Sequence, residues 1–252
     1  MRTETRRRSA RVPGASLAVA ALLAASAVAV GQDERPPQPA DPVLARGQGS
    51  GWTNIEGFEA VGTLAAGGRE MTFHLWRARD DRFRLELTHR GVRQLFVVDG
   101  SAGWIQIGSN PATELAAHQV WERLSWADVF ARFPDFYRRY PRRELEPVSR
   151  FQGAAVRPVR LWPRSGYPYL YFLDEATGRV VGGIRHFYDG EDDAVREARL
   201  YYGDYREVTP GVFFAFTVES DEETYNQTLA VDEVRLSAEP PSAELFARDS
   251  GE

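Results

Sequence analysis

The sequence predicts a mostly β protein, built on one large, curved antiparallel sheet of about eleven strands with a single short helical insert. Three observations carry the prediction. From Phe58 onward, apolar and polar residues alternate with period two in run after run, the pattern of half-buried antiparallel strands. Gly, Asp, Asn and Pro separate those runs about every ten residues, as in hairpin-rich folds. The period becomes helical in one stretch only, between Asn110 and Pro141.

Before the domain comes a leader. Arg2, Arg6, Arg7, Arg8 and Arg11 precede or open an apolar run from Ala15 to Val30, and Ala25, Ala27 and Ala29 offer small-residue cleavage sites. This is the pattern of a secretory signal peptide, assigned to residues 1–31. The run is shorter than the roughly 20 residues that span a bilayer. Residues 32–51, "QDERPPQPADPVLARGQGSG", are rich in Pro, Gly and charge. They cannot bury enough apolar area to offset ordering and read as a flexible tether. Residues 52–248 then make one domain.

The chain has no cysteine. An exported domain without disulfides is held by its core alone, and no lipid can be attached through that side chain. All 31 basic residues are arginine. Without the leader, 26 basic and 35 acidic residues remain, a negative surplus that excludes nucleic acid as a partner.

The first strands are Gly57–Leu64, Glu70–Trp76 and "RFRLELT", where Phe83, Leu85 and Leu87 face one way and Arg82, Arg84 and Glu86 the other. Gln94–Val98 and Gly103–Ile107 follow, joined across Asp99-Gly100, a pair that tolerates positive φ. The insert, at about 111–140, takes Asn110 as N-cap and Pro111 in its first turn. Leu115, Val120, Trp121 and Leu124 recur at helical spacing. "SWAD" then restarts a second helix as a capping box, Ser125 with Asp128, carrying Trp126, Val129, Phe130 and Phe133 on one face.

Strands resume at Leu145–Phe151, Ala155–Trp162, Tyr167–Leu173, Val180–Tyr188, Ala194–Tyr202, Val212–Glu219 and Thr228–Ser237. In the last of these the alternation slips at Asp232-Glu233, the mark of a bulge. "PPSAELF" predicts one final helical turn.

Catalytic chemistry is hard to find. His74, His89, His118 and His186 are scattered, and none has a partner at metal-ligand spacing. A phosphate-cradling loop needs a lysine that the chain does not have. The acids Glu191-Asp192-Asp193 and Asp221-Glu222-Glu223 fit solvated hairpin turns; a hydrolase using Asp192 and Asp193 is the enzymatic alternative. The sequence predicts no enzyme, no cofactor and no metal.

Two stretches carry a resemblance. "RARDDRFRLEL" followed by "QLFVVDGSAGWIQIGSNP" resembles the periplasmic lipoprotein carriers of the LolA/LolB type, through Arg79 and Phe83 in the first and Val98-Asp99-Gly100 with Trp104 in the second. "DYREVTPGVFFAFTVES" and "LAVDEVRLSAEPPSAELF" resemble that family's closing strands, whose final Leu-Phe pair packs the end of the chain. Asp80 stands where the family has proline. With no cysteine to lipidate, the LolA-like side fits better.

The resemblance implies an unclosed (half) β-barrel covered by a short helical lid, with an apolar cavity between them that takes acyl chains. Candidate lining residues are then Phe83, Leu85, Phe96, Val98, Trp104, Trp121, Phe130, Phe214 and Phe216, and Arg79 is the lid-latch candidate. The implied function is that of a soluble, monomeric carrier in the periplasm of a Gram-negative-type bacterium. It would bind lipid or the acyl chains of lipoproteins and pass them toward the outer membrane, through transient membrane contact and envelope transport proteins. The second reading is a cell-envelope interaction or sensing module on the same fold, with a filled core and no lipid.

Overall fold

The computed structural model describes residues 50–128, 140–164, 166–189, 194–222 and 226–248. The segments read as leader and, nearly all of it, tether lie outside the described residues, as do Val129, Phe130 and Phe133 of the insert. After a 3-10 turn at Ser50–Asn54 come β1 (Gly57–Ala66), β2 (Arg69–Ala78), β3 (Arg82–His89), β4 (Val92–Asp99), β5 (Ala102–Ile107) and the two-residue β6 (Thr113–Glu114). Helix α1 (Ala117–Asp128) follows, then β7 (Arg142–Leu145), β8 (Ser149–Phe151), β9 (Ala154–Trp162) and β10 (Tyr169–Asp174). The series ends with β11 (Val180–Asp189), β12 (Ala194–Thr209), β13 (Val212–Glu222), β14 (Asn226–Ser237) and a 3-10 turn at Ala243–Phe246.

The strands form one antiparallel sheet of order β6-β5-β4-β3-β2-β1-β14-β13-β12-β11-β10-β9-β7, with β8 beside β9. It is not closed: β6 and β7 are its two ends. The chain therefore enters at the middle of the sheet and winds outward through β1–β6. It then crosses to the far edge and winds back through β7–β14 until β14 pairs with β1. That one crossing carries α1 from edge to edge, which is how an open barrel acquires a cover.

Among the described residues the sheet holds fourteen strands rather than about eleven. Residues 142–151 break into two short strands around Pro147, which has no N–H to give a ladder, and Thr113–Glu114 attach to the edge of β5. The expected bulge is present at the joint between the two limbs. Val61 faces Glu233 and Gly62 faces Val231, leaving Asp232 as the extra residue. A Cβ on Gly62 would lie 2.0 Å from the Ala230 carbonyl oxygen and 2.7 Å from the Phe73 ring. Only glycine lets the limbs bend together there.

The helix departs from expectation at its start. Asn110-Pro111 does not cap it; the chain stays extended into β6, and α1 begins at Ala117. Gln119 Oε1 accepts from the Ala116 N–H at 2.8 Å, satisfying an end donor. Nor does Ser125 restart a helix, since α1 runs through it to Asp128.

Two apolar clusters lie on opposite faces of the sheet. The large one fills the concave side and includes Phe58, Phe73, Phe83, Leu85, Phe96, Val98, Tyr171, Leu200, Phe214, Phe216 and Val231, with Val120 and Leu124 of α1. The small one, on the convex side, joins Ala78, Leu95, Val97 and Trp104 to Phe246. Phe246 is 1% exposed, so the final Leu-Phe pair does close the chain. Arg84 Nη1 donates to the Leu245 carbonyl at 2.7 Å and holds that turn down.

Candidate ligand-binding site

The candidate site is the concave face and the helix above it. Phe83, Leu85, Phe96, Val98, Phe214 and Phe216 all point into the concave cluster and are buried. Trp121 packs against it half-buried. Phe130 lies outside the described residues. Trp104 is a correction: it pairs with Val97 and faces the convex cluster, while its neighbour Ile105 pairs with Phe96 and faces inward.

The helix is fastened in two different ways. Toward β3–β5 the contact is apolar. Val120 and Leu124, four residues apart, are both buried, and Gly103 of β5 opens a place for the helix. A Cβ on Gly103 would meet Leu115 and Val120 side-chain carbons at 3.1 Å and the Val97 carbonyl oxygen at 2.9 Å. Toward the other limb the described contacts are largely polar. Tyr171 of β10 donates its hydroxyl to the Ser125 carbonyl at 3.4 Å, and the Arg164 guanidinium lies over the Trp121 ring.

The main bond on that side is an ion triad. Arg185 of β11 reaches Glu122 of α1 at 3.5 Å and Glu222 of β13 at 3.2 Å. Its geometry follows from register. Tyr169, Arg185, Ala198 and Glu222 form a row across β10–β13 in which each faces the next, so all four share the concave face. Ala198 is the gap in that row: its small side chain lets Arg185 pass over β12 to Glu222. Burial disfavours the Arg185 charge, but Glu122 and Glu222 outweigh it and hold its pKa above the ordinary arginine value. Close by, burial pushes the Tyr202 phenol up.

Arg79 lies elsewhere. Its backbone N–H donates to the Glu56 carbonyl at 2.8 Å, and its guanidinium bonds the Thr53 carbonyl and Glu56 Oε1. These bonds tie the end of β2 to the N-terminal turn, while the described ion pair on α1 comes from Arg185 of β11. The buried arginine at that end of the sheet is Arg77, inside the β2–β3 turn, donating to the Arg82 carbonyl at 3.2 Å and facing Asp81.

One further charge stands in the site. Arg123 of α1 places its guanidinium 4.6 Å from the centre of the Phe96 ring. Its Nε is sealed from solvent and has no hydrogen-bond acceptor. Burial lowers its pKa below the ordinary value; Glu122 beside it offsets this in part, and the like charge of Arg185 adds to it. Among the described residues no cluster of His, Cys, Asp or Glu could hold a metal, and no helix is long and apolar enough to cross a membrane. Glu191-Asp192-Asp193 lie outside the described residues, whereas Glu222 turns inward to Arg185.

No protein-family model matches the sequence, and no curated protein matches it. Solved structures do. A domain from Vibrio parahaemolyticus described as an outer membrane lipoprotein-sorting protein aligns at a TM-score of 0.53 and 15% identity, covering 81% of this chain and 92% of that one. The lipoprotein LppX of Mycobacterium tuberculosis aligns at a TM-score of 0.29 and 11% identity, over 77% and 95% of the two chains. MucB, in its Pseudomonas aeruginosa complex with MucA, aligns at 0.22 and 14%, over 80% and 98%. The first of these shows the fold: the chain shares the open half-barrel architecture of that domain.

Proposed function

From that fold, we propose that the protein is an exported, non-enzymatic carrier that takes lipid or lipoprotein acyl chains between the concave face and α1. The observation that carries the reading is the asymmetric fastening of the helix over an apolar floor. A helix seated on one limb by Val120 and Leu124, and held to the other by ions and hydrogen bonds, can swing about its apolar seat. Opening would expose Glu122, Arg185 and Glu222 to water, where rehydration offsets much of the lost attraction. It would uncover Phe96, Phe214 and Phe216. An acyl chain laid there gains about 0.8 kcal/mol per CH₂ removed from water.

The test is native mass spectrometry of the protein purified after export, followed by organic extraction. A bound mass that releases an amphiphile is the expected result. A clean apo mass that stays clean after incubation with fatty acids and phospholipids would end the carrier reading and turn the search to protein partners of a filled core.

A further inference from the structure

We propose that the amphiphile carried is anionic, and that Arg123 receives its headgroup, a carboxylate or phosphate, while the acyl chain runs from Phe96 along the concave floor. The inference rests on the carrier reading and adds the chemical class of its cargo.

The argument begins with the two arginines under the helix. Arg185 already faces two carboxylates, Glu122 and Glu222. Arg123 makes no ion pair among the described residues, though the charge of Glu122 beside it is felt; its described contact is the face of Phe96. A guanidinium has five N–H donors and is suited to paired oxygens. The ring face satisfies none of those donors, and although the residue is partly exposed its Nε–H is closed to water. A donor orphaned in such a place costs the free protein its lost hydration. An anion brought in by a ligand would remove that cost, so the bound state gains from a strain the apo state bears.

Position gives the charge its meaning. Phe96 belongs to the apolar floor, paired with Leu85 on β3 and Ile105 on β5. A headgroup on Arg123 therefore leaves its chain beginning on that floor. The acid nearest in the chain, Glu122, is turned to Arg185 and does not compete for the incoming oxygen pair.

The experiment compares oleate with methyl oleate, which has the same chain and no charge, by titration of the full chain below their aggregation concentrations. Dioleoyl phosphatidic acid and dioleoyl phosphatidylcholine make the same comparison for a phosphate source. The wild-type protein should prefer the anion by about tenfold or more, the scale of one charge-assisted pair. Arg123→Gln should bring the ratio close to one while leaving the neutral amphiphile bound as before, and Arg123→Lys should restore part of it. The stronger of the two anions identifies the headgroup. Equal wild-type affinity for charged and neutral forms, or a preference unchanged in Arg123→Gln, would overturn this inference and leave the carrier reading standing. If no amphiphile binds at all, both fall.

Discussion

The two limbs of the sheet hold the same helix by opposite chemistry. The β1–β6 limb offers an apolar seat: Gly103 gives way, and Val120 and Leu124 go in. The β7–β14 limb offers a hydroxyl on a carbonyl and an arginine between two glutamates. Apolar contacts lose the full value of burial when they part, because water gives nothing back. Ion pairs recover hydration when they part, so their net worth is smaller. A helix held this way has a hinge side and a release side. The difference is chemical before it is mechanical.

Removing the seat should have the largest effect. Leu124→Ala takes a 1%-exposed side chain from the junction of helix and floor, and should cost about 2–5 kcal/mol of unfolding free energy. Urea denaturation followed by circular dichroism measures it. A cost no larger than that of an exposed leucine would mean that α1 is not seated where its packing places it. Gly103→Val tests the same side by addition. Its side chain would strike the Val97 carbonyl as well as Leu115 and Val120, and overpacking of this kind costs about 1–3 kcal/mol.

The release side should respond differently. Glu122→Gln keeps the shape of the side chain and removes its charge from Arg185. Global stability should fall by only about 1 kcal/mol, since Glu222 still holds the arginine. Local opening should change more than that suggests. Hydrogen exchange of the α1 amides should speed up while the β3–β5 amides stay as protected as before. If both sets loosen together, the helix and the seat are one cooperative unit and the hinge does not exist.

Much of this architecture could be read in the sequence, and the parts that could not share a cause. The alternating run "RFRLELT" shows the inward face of β3, because its other side is polar. β4 has no such contrast: Leu95, Phe96, Val97 and Val98 are all buried, since both faces are covered. Parity is no clearer at its partner Trp104 on β5, which faces the convex cluster with Val97. The slip at Asp232 was visible because it breaks a clean alternation. The triad was not, because Glu122, Arg185 and Glu222 meet only after the limbs have closed, and strand charges usually mean solvent. Ala198 was the available clue: a small residue between Arg196 and Leu200 on a half-polar strand makes room for something. Asn110-Pro111 misled because proline's fixed φ suits an extended edge as well as a first helical turn.

The smallest effect expected lies in the turn that joins β10 to β11, at the opposite end of that hairpin from the row that carries Arg185. Asp174 Oδ1 accepts from the Thr177 N–H at 2.7 Å and from its hydroxyl at 2.6 Å. Chiefly through the Thr177 hydroxyl, the carboxyl is held below the usual aspartate range. A group whose folded pKa is depressed stabilises fully above its unfolded value, and loses that contribution as pH falls through the folded one. The turn should therefore be firm above the ordinary aspartate pKa of about 3.9 and weaken below it. Urea midpoints of wild type and Asp174→Asn, taken from about pH 6 to 3, should differ most at the upper end and converge at the lower, since other carboxylates titrate alike in both. A gap that stays constant with pH would mean that the charge of Asp174 contributes nothing. The turn would then depend on Gly178 and its positive φ.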